Sequence, residues 1–225
     1  MVHLRITLHL KWRTAFHTTG NRWKWGADKA LAQRYDGAYV LPATSLKGAL
    51  RDQAERLLRG HRHRVCAAPD PVRMCPDPDN LCLACEVFGN PRRPSPLRFV
   101  NVVLEGERQG DDEEKGMLTQ IRAGVAISRH RRAAVPQRLY FVETTAVGPM
   151  KTRATITGFF PTQEAAEKAA ALVVLAAKAL PALGAGRTRG LGWLAEVKAE
   201  CTIDGQPVDD AALERYWSQW LGGGQ

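Results

Sequence analysis

Positions 3 to 12 alternate in polarity, His-Leu-Arg-Ile-Thr-Leu-His-Leu-Lys-Trp. A period of two is what a strand with one buried face requires. Further on the period becomes helical. Leu46, Ala49, Leu50, Ala54, Leu57 and Leu58 recur on one face, and Thr44 or Ser45 is a natural N-cap for that helix. Leu97 to Leu104 is strand-like, as are Leu139 to Val142 and Arg153 to Phe160. Thr162 can cap an Ala-rich helix running to about Leu180, where Pro181 stops it. Trp193 to Ile203 supplies the last long strand, and Asp209 to Leu221 a terminal helix with Trp217 and Trp220 on its apolar side.

The order strand, helix, strand, strand, helix, strand predicts an α+β chain, a ferredoxin-like (RRM-like) sandwich. Residues 1–225 read as one domain with two insertions, at 60–96 and about 117–150, and without internal repeats. That fold carries many unrelated activities, so the order alone assigns none. The alternating start lacks a long apolar h-region, so it reads as a strand rather than a signal peptide. The longest apolar run, Ala169 to Ala177, lies between two lysines and is too short to span a bilayer. The expectation is a soluble cytoplasmic protein with no membrane partner.

Charge changes the picture next. The formal net charge is +9, which points to polyanionic partners. Its cations gather in places. Arg122, Arg129, His130, Arg131, Arg132 and Arg138 crowd one strand-rich segment, an electrostatic footprint for a nucleic-acid backbone. Lys47 and Arg51 sit one helical turn apart near a helix start, which would suit phosphate or simply face solvent. Between Thr14 and Tyr39, His17, Gly20, Arg22, Trp23, Lys24, Trp25 and Asp28 form a polar loop. Its indoles would either stack on bases or pack the loop down. Around Arg187, Thr188 and Arg189 stand Gly184, Gly186, Gly190 and Gly192. Glycines permit φ > 0 and close approach, successive amide groups can enclose an anion, and arginine adds bidentate phosphate donors. Glu105 to Glu114 is acidic and Gly-containing, with the pattern of a solvated loop.

Four of the five cysteines fall within one short stretch, as Cys66-x8-Cys75-x6-Cys82-x2-Cys85. In an intracellular chain this clustering argues for metal before disulfides. Cys82 and Cys85 have the spacing that lets two thiolates meet one tetrahedral Zn²⁺, with Cys75 as third ligand. Cys66 is the fourth, or His61 or His63 in its place. Cys201 reads as a small core residue. A long, proline-rich loop at 60–96 needs a staple, and structural zinc would be one.

With these motifs in view, the chain resembles the RAMP superfamily of CRISPR-associated proteins, and within it the backbone subunit of type III effector complexes. His17-Thr18-Thr19-Gly20 is similar to the family's His-hydrophobe-Gly-Gly, and Leu41-Pro42-Ala43-Thr44-Ser45-Leu46-Lys47-Gly48 to its Pro-x-Ser-Ser-Leu-Lys-Gly. Cys82-x2-Cys85-Glu86-Val87-Phe88-Gly89 is similar to its Cys-x2-Cys followed by Leu-Phe-Gly. Arg122 to Thr145 sits where the family has a thumb hairpin, and the stretch from Leu183 resembles its glycine-rich loop. The resemblance implies a CRISPR guide RNA held by the sheet face, His17, Lys47, Arg51 and the loop of Gly184, Gly186, Arg187, Arg189 and Gly190. It implies a thumb, with Arg129, Arg131 and Arg132, that kinks the duplex of guide and target single-stranded RNA. It also implies copies and other effector subunits stacked head to tail. Family members of this kind cut target RNA with an aspartate and a divalent ion, Mg²⁺ or Mn²⁺. Asp28 is the matching position and Asp36 the fallback. A non-catalytic scaffold of the same complex stays open, as does a metal-independent, repeat-processing endoribonuclease using His17.

Overall fold

The computed structural model describes residues 1–20, 22–106, 118–146 and 150–222. Strand β1 (Val2–Trp12) buries Leu4, Ile6, Leu8, Leu10 and Trp12 and turns the residues between them to the other face, as its alternation requires. In chain order follow β2 (Val40–Leu41), α1 (Ala43–Gly60), α2 (Leu83–Phe88), β3 (Leu97–Phe99), β4 (Val102–Val103) and β5 (Glu105–Gly106). Then come β6 (Thr119–Ser128), β7 (Ala133–Thr145), β8 (Met150–Phe160), α3 (Gln163–Lys178), β9 (Leu194–Ile203), β10 (Gln206–Pro207) and α4 (Asp210–Leu221).

The chain is α+β. Its main sheet runs β10-β9-β1-β8-β3, with β5 added to β8, and every pairing in it is antiparallel. Strand β1 is central, matched to β8 from Val2↔Phe160 to Trp12↔Met150 and to β9 from Leu4↔Ile203 onward. The elements β1, α1, β3, β8, α3 and β9 follow one another as strand, helix, strand, strand, helix, strand.

Helix α3 covers the apolar face of the sheet. It touches α1, α4, β1, β8 and β9, which is why its apolar residues wrap most of its circumference instead of forming one stripe. Its alanines at 166, 169, 170, 171, 176 and 177 are all buried, small enough for neighbours to come close. The Thr162 hydroxyl accepts from the Ala165 N–H at 3.2 Å, the expected cap. Helix α4 is pinned by the Trp217 indole N–H, which donates to the Ala171 carbonyl at 2.8 Å. Cys201 lies buried in β9, where burial pushes its thiol up to about 12.

Four local readings change. Helix α1 starts at Ala43 with Pro42 as N-cap, so Thr44 and Ser45 lie inside the first turn. The cap is tertiary: the Asn101 side chain accepts from the Ala43 N–H at 2.9 Å, so that donor is not left for an anion. Leu97 to Leu104 is not one strand, because β3 joins β8 while β4 pairs with β2. The 60–96 insertion contains a helix, α2, with Cys85 in it. Of the acidic stretch, Glu105 and Gly106 pair with β8, and 107–114 lies outside the described residues.

Strands β6 and β7 form a separate two-stranded sheet, from Thr119↔Thr145 to Ser128↔Ala133. Most of its side chains are exposed. An isolated hairpin is marginal in water, so this one depends on how its base is held.

Leu8 is 0% exposed in the middle of β1. Leu8→Ala is expected to lower stability by about 2–5 kcal/mol. Denaturant unfolding checks it, as a lower midpoint with an unchanged slope.

Candidate functional site

The glycine-rich loop is built for close packing on the segment after β1. Gly184 has φ +93°, and a Cβ there would lie 2.3 Å from the His17 carbonyl oxygen. Gly192 has φ +72°, with a Cβ 1.9 Å from the Leu183 carbonyl oxygen. Only glycine fits both positions. The Ala185 N–H donates to His17 and the Gly192 N–H to Ala15, both at 2.8 Å. Much of the loop's backbone therefore points inward and does not form one long anion-binding concavity. The N–H groups of Gly186, Arg187 and Thr188 are different, having no partner among the described residues. They open a single turn, Arg187–Arg189, flanked by left-handed Gly186 and Gly190.

Glu143 of β7 ties this region together. It is 0% exposed in the main chain and side chain alike. One carboxylate oxygen accepts from the Lys24 ammonium at 2.5 Å and the Tyr39 hydroxyl at 3.0 Å; the other accepts from the Leu31 N–H at 3.0 Å. Burial opposes the charge, but these donors outweigh it and hold the carboxyl below its usual range. The Glu143 N–H donates to Lys29 at 2.9 Å, and its carbonyl accepts from His17 Nδ1 at 2.6 Å. Since a carbonyl only accepts, Nδ1 carries the proton, and Nε2 accepts from the Thr19 hydroxyl at 3.0 Å. His17 is 2% exposed. Burial, and after it the charge of Lys29, lower its pKa. A neutral ring with both nitrogens engaged is a positioning group, and this geometry works against His17 as a free general base.

A cavity of about 300 Å³ opens above this network. It is lined by His17, Thr19, Lys29, Arg122, Tyr140, Gly186 and Arg189 among others, so it joins the segment after β1, the hairpin base and the glycine-rich loop. The Arg189 guanidinium lies over the Tyr140 ring, 5.3 Å from its centroid. Neither Lys29 nor Arg189 has an acidic partner among the described residues. Asp28, beside Lys29, is exposed. Its Oδ2 accepts from the Phe141 N–H at 2.7 Å, and its own N–H donates to Phe141 at 2.9 Å. The carboxylate of this exposed residue is thus fixed at the hairpin base. Asp36 instead accepts from Arg34 and the Ala38 N–H beside left-handed Gly37, as a turn residue does.

The sheet's other face adds a second basic surface. A cleft of about 730 Å³ is lined by His9, Lys11, Lys151, Arg153 and Lys198 together with Glu105, Glu196 and Glu200. His9 pairs with Glu200 at 3.2 Å and Lys198 with Glu196 at 3.0 Å.

Residues 15–195, from the segment after β1 through the glycine-rich loop, match the family model of the RAMP superfamily. The chain is a member of the RAMP superfamily. No curated protein matches it. Membership accords with a CRISPR-associated, RNA-binding role.

Two other predicted groups of this RAMP protein lie away from the cavity. Arg129, Arg131 and Arg132 form the exposed turn at the hairpin tip. Lys47 and Arg51 line a different cleft, between α1 and the cysteine loop. Arg51 is engaged within the protein, donating to Glu55 at 2.8 Å, to the Gly89 carbonyl at 2.7 Å and to Cys85 Sγ at 3.4 Å. Burial, then the charge of Arg51, lower the pKa of Lys47.

The cysteine expectation converges well. Sγ atoms of Cys66, Cys75, Cys82 and Cys85 all lie within 4.8 Å of one another. Cys66 stands 3.3 Å from Cys85 and 3.7 Å from Cys82. A disulfide would need about 2.0 Å. Four ligands at about 2.3 Å from one tetrahedral ion sit about 3.8 Å apart, so this set could hold a metal ion. His63 turns elsewhere, donating from Nε2 to the Trp220 carbonyl at 2.9 Å, and Cys66 takes the fourth place. Burial pushes the Cys66 and Cys85 thiols up. At Cys82 burial is outweighed by the peptide N–H groups of Cys66 and Cys85, and its thiol is pulled down.

Glu143, Lys29, Arg122 as a cavity residue and Tyr140 were not singled out for this site from sequence. Their signal is tertiary: Glu143 lies 119 residues from Lys24. Glu143→Gln is expected to lower stability at neutral pH by on the order of 3 kcal/mol. The carboxylate's contribution is full above its ordinary value of 4.5 and is lost as pH falls through the lower folded value. The gap between wild type and variant should therefore narrow in acid, and thermal unfolding across pH measures it.

Proposed function

We propose that the protein is a guide-RNA-binding backbone subunit of a type III CRISPR effector, and that it cuts bound target RNA at Asp28. The observation that carries this reading is the cavity, where three segments distant in sequence place Lys29, Arg122 and Arg189 around one space, with Asp28 the residue before Lys29 in the chain. Cations around a small concavity bind phosphate, and a phosphate seated there brings its strand to the Asp28 carboxylate. Basic side chains on the open sheet face at Lys11, Lys151 and Arg153 extend the path for a guide strand. The hairpin, exposed on both faces with arginines at its tip, is shaped to part or kink a duplex as a thumb. A thumb that reaches the next copy generates a head-to-tail filament.

The cysteine set fits structural zinc, which Cys66, Cys75, Cys82 and Cys85 would hold as four thiolates. Zinc there supplies folding energy to a loop otherwise poor in regular structure. For cleavage, Asp28 would hold a Mg²⁺ or Mn²⁺ ion, which would supply positive charge to offset charge at the phosphate. Asp28 itself would orient the attacking 2′-hydroxyl.

One observation favours a second reading. The Asp28 carboxylate also anchors the hairpin through the Phe141 N–H, which a non-catalytic RNA-holding scaffold would equally need.

Target-RNA cleavage by the assembled complex, wild type against Asp28→Asn, separates the two. Loss of regularly spaced cuts with guide binding intact is expected; unchanged cleavage would leave the scaffold reading. Purified protein should carry about one zinc per chain, and Cys82→Ser should lose it together with thermal stability. Metal analysis that finds no zinc would overturn that assignment.

A further inference from the structure

Two large indoles stand in water next to Asp28. Trp23 is 74% exposed and Trp25 82%, so they do not pack the loop down. Their rings meet edge to face, with centroids 5.8 Å apart, an arrangement that leaves flat aromatic surface uncovered.

The turn bearing them is held in place. Lys24 and Ala27 bridge across it, with the Ala27 N–H donating to the Lys24 carbonyl at 3.1 Å. Gly26 has the positive φ, +79°, that the turn needs. Lys24 anchors one end on buried Glu143, and Asp28 docks the other on Phe141. Exposed tryptophans on a fixed support are poised for a flat, apolar partner. Lys29, from the same segment, is a cation of the adjoining cavity. Aromatic faces beside cations suit single-stranded nucleic acid, whose bases stack while its phosphates pair. A purely apolar protein partner would have no use for the cations.

We infer that Trp23 and Trp25 form a base-stacking platform for single-stranded RNA, seating a nucleotide beside Asp28. The inference rests on the RNA-binding reading and adds what that reading lacks, a determinant of where along the strand Asp28 falls. The indoles act as positioning residues.

The test titrates the full-length protein with labelled oligouridylate at several salt concentrations. Trp23→Ala and Trp25→Ala are each expected to weaken binding by on the order of tenfold. The salt slope should stay unchanged, since no phosphate contact is removed. Trp→Phe variants should retain most affinity, which also shows that the loop still folds. Lys29→Ala, in contrast, should flatten the slope. Wild-type affinity in both alanine variants would overturn the platform and leave the RNA reading standing. Lost self-association with unchanged RNA affinity would make the indoles a protein contact, and would overturn it too. Wild-type protein that binds no RNA would overturn both readings.

Discussion

The carboxylate of Glu143 is the constraint on which the docking of hairpin, preceding loop and glycine-rich loop depends. A fully buried charge is tolerated only when nearly every lone pair has a donor. Here Lys24, Tyr39 and the Leu31 N–H satisfy that demand. These donors come from one loop and the acceptor from the hairpin, so the charge cannot be satisfied unless the two are docked. The same residue's backbone fixes His17 and Lys29. Through His17 it reaches the glycine-rich loop, whose Ala185 N–H rests on the His17 carbonyl. The charge thus favours one arrangement of three segments distant in sequence.

The cysteine cluster plays the comparable part at the other end. It closes the long insertion and, through Arg51, ties it to helix α1. The Arg51 guanidinium beside Cys85 places positive charge where metal-bound thiolates would concentrate negative charge. That makes Arg51 a link between helix α1 and the cysteine loop more than a free hand for RNA.

Period and local chemistry made most of the scaffold legible. The alternation in β1, the helical face of α1 and the Thr162 cap all follow from neighbours in sequence. The cysteine spacing pointed to the thiols that converge, with His61 or His63 left open in place of Cys66, whereas the glycine-rich loop, read as an anion-binding concavity, turns much of its backbone inward. What escaped was set by partners far along the chain. Asn101 capping Ala43 is one case. Arg51 is another: helical spacing put it beside Lys47, but Gly89 and Cys85, from α2 and its C-cap, decided its direction together with Glu55 one turn on. Glu143 sits in Phe-Val-Glu-Thr-Thr, where nothing local separates a buried carboxylate from an exposed one.

The hairpin has a consequence for the chain when it is alone. Among the described residues β6 pairs only with β7, so its outer edge offers a row of unclaimed backbone donors and acceptors. Ile121, Val125 and Ile127 on that strand are exposed as well. An open, apolar edge is a template for stray strands. The expected consequence is that β6 is where free protein would pair with another strand, unless something covers that edge.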